Sequence, residues 1–571
     1  MIQIRWRWLL WALISGALLV RLWGAGYGLP FTYYNDEYHE VMRALQLGTG
    51  SFNFNRNGKG GLYLVLFIEY GFYFVILKLA GVVGTAQEFG KLFVTDPSAF
   101  YLIGRMTVAV FGATTVAAVY FLARQAYSTA AGLLAGLFVA LNVLHVDLSR
   151  LIGLDVLMTL LAMVSLSFGL RMIGTHRRRD YLLAALFAAL ATTTKLPGIL
   201  LLLPLLVAHT YAVRTASGGV RSWFGSRDFW LAALVFAGVL VATNPGIVNI
   251  AGYTRLFADP GSDALDDDAL VVMADLAGTA SPNLYVFYLV AIRESMGWPL
   301  FLLSIASLAY ACWRRTPADV VLISYALVNY LVISATTSEV AYYPRYALPI
   351  IAVLLVLAAR GLAELLDVVP SRRGLLAAAV IVLVLAMPVG QSISTAKALI
   401  QTDSRTLARE WFESNVPSGA RVLIEGGKIG PMRSTVPLRD TAATMQRRIE
   451  YWRMTEPKQA QLLEYQLAVH QGGGYDLELV RAGSVGSLDD YVARDVEYFV
   501  VRPKVFIGSR KAGTVGAAFL ERLRSDPRVS LVKRFDGVGD ARLSPTVEIY
   551  RLHTSRSEPD SRPPEPSLLT K

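Results

Sequence analysis

The sequence predicts a mainly α-helical protein: a polytopic bundle of about eleven membrane spans followed by a C-terminal soluble α/β domain. Three observations predict this fold. The 571 residues are 54% hydrophobic and only 17% charged, with a mean hydropathy of +0.45, whereas soluble proteins carry about 25% charged residues. Apolar runs of spanning length recur along the chain. After Gln391 the chain becomes charged and rich in turn residues. This composition excludes an ordinary soluble enzyme, a disordered chain and a disulfide scaffold.

The first element is an apolar run from Trp8 to Val20, preceded by Arg5 and Arg7. It resembles a secretory signal, but Arg21 follows it directly and no small-residue cleavage site is visible. We therefore expect a retained first span with its N-terminus in the cytoplasm.

Further apolar runs are candidates for spanning helices because each approaches the thickness of a bilayer. They lie near residues 61–80, 102–123, 130–144, 154–170, 181–212, 229–243, 297–313, 319–334, 346–363 and 374–390. Short basic clusters separate many of these runs, and the positive-inside rule places such clusters in the cytoplasm. The net charge of +11 therefore indicates membrane topology, and we expect no nucleic-acid partner.

Successive spans must alternate between the two sides of the membrane, and this parity argument decides how two of the runs cross it. The first span ends outside and the run at 102–123 must start outside, so the run at 61–80 is predicted to be a juxtamembrane or re-entrant helix. The run at 181–212 has basic residues at both ends and is therefore split into two spans, with Lys195 at the outer turn. Long polar loops then lie on the outer side, where we expect the chemistry.

The chain divides into three regions. Residues 1–392 are predicted to form the membrane domain, with juxtamembrane helices in the outer loop 28–100. Residues 393–554 are predicted to form an exocytoplasmic α/β domain, and residues 555–571, rich in Pro, Ser and Glu, a disordered tail. In the second region we expect a helix ending near Asn415, strands at 421–425, 496–502 and 546–552, and a helix at 515–524. The expected location is the inner (plasma) membrane, crossed several times.

The most informative segment follows the first span and begins NDEYHEVMRALQLGTGSF. Asp36 and Glu37 fall in the first turn of a predicted helix, where the helix dipole favours acids. One face of this helix, at spacing i, i+3, i+4, i+7, carries Asp36, His39, Glu40 and Arg43. Acids and potential cations therefore converge at the membrane surface, although a solvated amphipathic helix with capping acids explains the same pattern.

Two further groups of ionisable residues lie at span ends. The second outer loop, LNVLHVDLSRLIGLD, carries His145 and leads to Asp155 at the start of the next span. Lys59, Lys195 and Arg345 are cations near the outer interface, where the positive-inside bias disfavours them. A lipid phosphate is a suitable partner for such cations. The alternatives are a first-turn carboxylate favoured by the dipole and lysines that extend to lipid headgroups.

Other motifs are weak. The single cysteine, Cys312, permits no intramolecular disulfide. The acidic loop at 259–270 lacks EF-hand spacing, so a solvated outer loop explains it better. The stretch QGGGYD at 471–476 lacks the strand–glycine–helix context of a nucleotide-binding loop.

At these residues the chain resembles the polytopic GT-C glycosyltransferases. It resembles in particular the family that groups protein O-mannosyltransferases with lipid A aminoarabinose transferases (glycosyltransferase family 39-like). The resemblance extends from about Trp8 to Gln391, and four segments carry it in the family's order: NDEYHEVMRALQLGTGSF, GRMTVAVFG through LDVLMTLL, TTTKLPGILL and YPRYALPII. The family's Lys-Pro-Pro-Leu motif is here KGGL, with two glycines. Where the aminoarabinose branch has Arg, three residues after the Asp, this chain has His39.

The resemblance implies transfer of one sugar from a polyprenyl-phosphate donor to an acceptor hydroxyl of a lipid, glycan or protein outside the membrane, with inversion. It implies Asp36 as the general base, Glu37 as its support and Asp155 as a second acid. It implies that the donor phosphate is held by Lys59, Lys195 and Arg345, with supporting roles for His39, Arg43 and His145. No nucleotide or metal site is assigned, although a divalent metal is not excluded.

Two other classes of function remain open. A secondary transporter or flippase for lipid-linked sugars should show internal repeats and broken helices near the membrane midplane, and no such symmetry is visible. A membrane-anchored binding protein leaves the combination of Asp36 with three outer cations unexplained.

Overall fold

The computed structural model describes residues 2–48, 60–244, 283–335, 343–368, 373–427, 430–455, 457–508, 515–537 and 544–553. The chain folds as two compact units. Of the described residues, the first unit contains those up to Gln401 and the second contains those from Thr402 onward. The boundary expected after residue 392 lies inside a helix that continues to Ile400. The tail expected at 555–571 lies outside the described residues.

The described residues of the first unit form mainly helices. In chain order they are α1 (Ile2–Leu22), α2 (Asn35–Leu47), α3 (Gly61–Leu79), α4 (Ala86–Thr95), α5 (Ser98–Ala126), α6 (Thr129–Leu141), α7 (Val143–Leu148), α8 (Leu154–Thr175), α9 (Arg178–Thr194), α10 (Leu202–Thr215), α11 (Val220–Gly225), α12 (Arg227–Thr243), α13 (Leu284–Arg314), α14 (Pro317–Ala335), α15 (Leu348–Val368) and α16 (Arg373–Ile400). Two 3₁₀ turns, Leu196–Leu201 and Pro344–Ala347, lead into α10 and α15.

Eight helical segments within the described ranges are long and apolar enough to cross a membrane, judged by length and composition. This confirms the polytopic helical fold that the hydropathy pattern predicts. The run at 181–212 is interrupted at Lys195, where α9 ends and the 3₁₀ turn begins, as the parity argument requires. Helix α3 is also among the eight, so length and composition do not separate a span from the juxtamembrane helix expected there. The count of about eleven spans stays a prediction.

Helix α15 is the central helix of the first unit. Every residue from Ala347 to Arg360 is buried, as expected for a helix that is apolar on all sides and packed among other helices. The 3₁₀ turn with Arg345 comes directly before it, with Pro344 at its first position. The core of the bundle therefore holds the backbone that carries this guanidinium group.

The second unit is an α/β domain around one five-stranded sheet in the order β2-β1-β3-β5-β4. The strands are β1 (Arg421–Glu425), β2 (Asp476–Val480), β3 (Tyr498–Val501), β4 (Val529–Phe535) and β5 (Val547–Leu552). Strand β1 pairs in parallel with β2 and β3, whereas β5 pairs antiparallel with β3 and β4. The helices are α17 (Ser404–Asn415), α18 (Ala442–Thr455), α19 (Pro457–Ala468), α20 (Leu488–Ala493), α21 (Pro503–Gly508) and α22 (Val515–Ser525).

The α/β pattern expected after residue 392 is thus confirmed, including the helix ending at Asn415 and three of the strands. Strands β2 and β4 were not expected. The glycine run before β2 has a structural explanation: Gly472, Gly473 and Gly474 have φ of 85°, 74° and 94°, and a Cβ on Gly474 would lie 2.5 Å from the carbonyl oxygen of Asp440. These glycines form a tight turn.

Candidate active site

A cavity of about 240 Å³ lies in the first unit and collects charged side chains from distant parts of the sequence. Its charged lining consists of Asp36, Glu40, Asp155, Lys195 and Arg345. Four of these residues were proposed from the sequence as site residues, although up to 309 positions separate them along the chain. The fold therefore brings two of the three proposed acids, Asp36 and Asp155, and two of the three proposed cations to one place.

Four connections meet at this cavity: the first turns of α2, the loop that enters α8, the turn between α9 and α10, and the 3₁₀ turn before α15. The parity argument assigns all four to the same side of the membrane. Their convergence is the arrangement that this topology requires, because segments on opposite sides of a bilayer do not share a cavity.

The first ion pair of the cavity joins Arg345 and Asp36. Nη1 of Arg345 donates a hydrogen bond to Oδ2 of Asp36 and lies 3.3 Å from the hydroxyl of Tyr34. The guanidinium group also stacks near the ring of Tyr343, with 4.2 Å between Cζ and the ring centroid. The Asp36 side chain is 40% exposed and that of Arg345 is 19% exposed. The pair therefore faces the open part of the cavity.

The second ion pair joins Lys195 and Asp155. The distance from Nζ of Lys195 to Oδ1 of Asp155 is 2.5 Å, and both side chains are largely buried. Asp155 lies in the first turn of α8, where the helix dipole favours a carboxylate. Nζ of Lys195 also lies 4.4 Å from the ring centroid of Tyr346. Burial lowers the pKa of Lys195, an effect that the charge of Asp155 opposes.

Glu37 does not line the cavity. Its carboxylate is completely buried and forms a paired contact with Arg105 of α5: Nε donates to Oε1 at 2.8 Å and Nη2 donates to Oε2 at 2.7 Å. The backbone N–H of Ile152 also donates to Oε1, at 3.0 Å. Glu37 therefore connects the first turn of α2 to the loop that leads into α8, whose first turn carries Asp155.

Arg105 was missed by the sequence analysis. Its Nη1 donates to the carbonyl oxygens of Ala25 and Tyr27, at 2.7 Å each, so one side chain ties α5 to the segment after α1 and, through Glu37, to α2. The sequence contains a signal for Arg105, because it lies within the apolar run at 102–123. A lone arginine inside an apolar run is rare in spans and is a functional candidate by default.

The three residues proposed as supporting lie elsewhere. His39 is exposed and contacts the ring of Tyr38. Arg43 is not among the residues that line the cavity, and its Nη1 donates to the hydroxyl of Tyr63 at 2.8 Å. His145 is buried, and its Nδ1 accepts a hydrogen bond from Arg21 at 2.9 Å.

Lys59 lies outside the described residues, but the next two positions of its KGGL motif are described. The backbone N–H of Gly60 donates to the carbonyl oxygen of Thr193 at 2.6 Å. A Cβ on Gly61 would lie 2.4 Å from Oγ1 of Thr194. Proline at the first position would lack the N–H, and a side chain at the second would collide. The two glycines therefore suit close packing against the turn that carries Lys195.

Within the described ranges, no three His, Cys, Asp or Glu side chains come together in a group able to hold a metal ion. What the cavity offers instead is a set of carboxylates beside two cations.

Comparison with curated protein sequences gives no significant match. Among solved structures, ArnT from Cupriavidus metallidurans in the apo state is 15% identical, with a TM-score of 0.49 and coverage of 96% of this chain and 98% of that chain. The oligosaccharyltransferase of Archaeoglobus fulgidus in the apo form is 10% identical, with a TM-score of 0.47 and coverage of 89% and 72%. The arabinofuranosyltransferase AftD from Mycobacteria is 15% identical, with a TM-score of 0.34 and coverage of 96% and 41%.

Residues 101–245 match the family described as dolichyl-phosphate-mannose-protein mannosyltransferase. The matched segment contains Arg105, Asp155 and Lys195, whereas Asp36 and Arg345 lie outside it and reach the cavity through the fold. The match covers fewer residues than the resemblance noted from the sequence. Of the four segments quoted for that resemblance, it includes the second, GRMTVAVFG through LDVLMTLL, and the third, TTTKLPGILL. It bears out that resemblance over the matched segment: residues 101–245 are similar to the dolichyl-phosphate-mannose-protein mannosyltransferase family.

Proposed function

We propose that the protein is an integral-membrane glycosyltransferase that moves one sugar from a polyprenyl-phosphate donor to an acceptor hydroxyl on the outer side of the membrane, with inversion. The observation that carries this proposal is the cavity in which Asp36 and Asp155 face Arg345 and Lys195. The description of the matched family, which names a dolichyl-phosphate-linked mannose, supports the class of donor.

The two cations suit the donor phosphate. Arg345 offers a planar fork of N–H donors that matches phosphate oxygens, and Lys195 adds a compact charge beside it. Both precede apolar helices that are long enough to span a membrane, so a spanning arrangement of these helices would put both cations near the interface, where lipid phosphates lie. Lys59 is proposed as a third phosphate ligand because it precedes Gly60, which is hydrogen-bonded to the Lys195 turn.

Donor binding also explains why each cation is paired with an acid. The phosphate competes with Asp36 for Arg345 and with Asp155 for Lys195, since all are anions that seek the same N–H donors. Once phosphate engages Arg345, the carboxylate of Asp36 is released from this ion pair and can accept a proton. The base is therefore held in a neutral pair until the donor arrives.

The chemical step follows from this arrangement. The acceptor hydroxyl oxygen attacks the anomeric carbon and forms the new C–O bond, while Asp36 takes the hydroxyl proton. The anomeric C–O bond to phosphate breaks, and its electron pair leaves with the phosphate oxygen, whose charge Lys195 and Arg345 stabilise. Attack opposite the leaving phosphate inverts the anomeric centre. Asp155 accepts hydrogen bonds from sugar hydroxyls.

The size of the cavity supports transfer of a single sugar. Its volume of about 240 Å³ lies below the roughly 300–1,000 Å³ of sites for drug-sized ligands. One monosaccharide fits such a space better than an oligosaccharide does. The same argument disfavours an en bloc transfer of a preassembled glycan.

Turnover of purified Asp36→Asn protein tests the proposal. Lost general-base assistance should lower turnover by about 10²–10⁴-fold, while binding of polyprenyl phosphate remains because Arg345 loses only a competing anion. Asp228→Asn is the matched control, since Asp228 also lies in the first turn of a helix, α12, but pairs with Arg178 away from the cavity. Near wild-type turnover in Asp36→Asn would move the role of base to Asp155.

The side of the membrane is tested separately. Two reporter enzymes are fused separately after Gln401, where the first unit ends. One is active only in the cytoplasm, and the other is active only outside it. The parity argument requires activity of the outer reporter. Activity of the cytoplasmic reporter would overturn both the span count and the proposed location of the chemistry.

A further inference from the structure

Glu40 is a charged residue of the cavity to which the mechanism above gives no role. It lies one turn after Asp36 on the same face of α2 and is 5% exposed. Glu40 lines the cavity together with Asp36 and Asp155. Three acids thus share the lining with two cations.

The position of Glu40 relative to the proposed phosphate ligands indicates which part of the donor it contacts. Asp36 contacts Arg345, a proposed phosphate ligand, whereas Glu40 is about 6 Å farther along α2, since four residues of helix rise by this amount. A sugar attached to the phosphate extends over a comparable distance. Glu40 therefore lies where the ring of the transferred sugar is expected.

Arg43 and Tyr63 lie beside this carboxylate. Nη1 of Arg43 lies 3.8 Å from Oε1 of Glu40 and donates to the hydroxyl of Tyr63 at 2.8 Å, and the Tyr63 hydroxyl is hydrogen-bonded to Glu40. The guanidinium group stabilises the nearby negative charge. A carboxylate has about four lone-pair sites, so Glu40, which lines the cavity, can accept a sugar hydroxyl in addition to Tyr63.

We infer that Glu40 selects the transferred sugar: its carboxylate accepts hydrogen bonds from hydroxyl groups of an uncharged sugar and repels a sugar acid. The inference rests on the proposed function. A carboxylate has two oxygens that accept from neighbouring hydroxyls, and charge-assisted hydrogen bonds of this kind are stronger than neutral ones. A uronic acid would instead place a second carboxylate beside Glu40 in a partly buried cavity, where water screens the repulsion poorly.

The test compares two lipids on the full-length protein in nanodiscs: polyprenyl phosphate without sugar, and polyprenyl-phosphate hexose. Glu40→Gln should bind the bare lipid within about twofold of wild type and bind the hexose lipid at least about tenfold more weakly. The same variant should gain turnover of a polyprenyl-phosphate uronic acid, which the wild type rejects. Glu294→Gln, an exposed glutamate of α13 paired with Arg293, is the matched control and should match wild type in all three assays.

Each outcome bears on the inference. Equal affinity of Glu40→Gln and wild type for the hexose lipid, with bare lipid bound normally, would overturn the role of Glu40 and leave the proposed function standing. Failure of the wild type to bind any polyprenyl phosphate would overturn both. If Glu40→Gln does not fold, Glu40→Asp keeps the charge and shortens the side chain; it should lose hexose affinity and still reject the sugar acid. Acceptance of the sugar acid by Glu40→Asp would contradict the charge argument.

Discussion

Replacing Glu37 by Gln separates a positioning role from a chemical one. The substitution keeps the shape of the side chain but removes the charge that faces Arg105. In the native protein the two side chains are 0% and 1% exposed. Two hydrogen bonds from Arg105 and one from the N–H of Ile152 end on the carboxylate. The variant therefore leaves a buried guanidinium group without its counter-charge.

The expected cost follows from these contacts. Breaking a buried ion pair by removing one partner costs about 3–5 kcal/mol. Arg105 keeps its bonds to the carbonyl oxygens of Ala25 and Tyr27, so we expect the lower end, about 3 kcal/mol of the free energy of unfolding. Because the Glu37 carboxylate also holds Ile152, the loop that leads into α8 loses an anchor. Turnover should fall with stability.

The assay is unfolding of the purified full-length protein in one detergent, with turnover measured on the same samples. Asp36→Asn is the internal comparison, because Asp36 is adjacent in sequence but 40% exposed; it should lose turnover with little change in stability. The double variant Glu37→Gln with Arg105→Met removes both charges and should be more stable than the sum of the single effects predicts, by about 1–3 kcal/mol. A Glu37→Gln protein as stable as wild type but slow in turnover would refute the positioning role and give Glu37 a chemical one.

Three further predictions concern other contacts. Arg345→Lys should weaken binding of polyprenyl phosphate by about tenfold in a lipid-binding assay, because an ammonium does not reproduce the planar fork; unchanged binding would contradict the phosphate assignment. Gly61→Ala should destabilise the protein by about 1–3 kcal/mol through overpacking against Oγ1 of Thr194, and in a Thr194→Ala background most of this loss should disappear, as a double-mutant cycle of thermal unfolding would measure. Burial raises the pKa of Asp440 to about 6, so the folded protein binds this proton more tightly than the unfolded chain. The free energy of unfolding of its unit should therefore fall by about 2 kcal/mol as the pH rises from about 4 to about 6. Asp440→Asn should abolish that fall, and equal pH dependence in both proteins would exclude Asp440 as its source.

The sequence by itself determined the class of fold and the kind of residue at the site. Apolar runs of spanning length require helices in a bilayer, since every backbone polar group must be satisfied internally. Charged residues are rare in such a chain, so the few at span ends stand out, and Asp36, Asp155, Lys195 and Arg345 were identified in this way. A break near Lys195 was predicted because basic residues at both ends of the run at 181–212 divide it into two segments under the positive-inside rule, and α9 ends at Thr194.

The tertiary structure alone decided which charges act together. Periodicity on α2 places Asp36, His39, Glu40 and Arg43 on one face. A helical face spans a wide arc, however, and the surroundings of these side chains differ. Packing against α3 and against the connections near α8 and α15 decides which of them line the cavity. Glu37 and Asp36 are neighbours in sequence that point in different directions, one to Arg105 and the other to Arg345. Partners that lie 68 and 309 positions away leave no local pattern. Such pairs are set by three-dimensional packing, because the free energy of a buried charge depends on the groups around it in space rather than on its sequence neighbours.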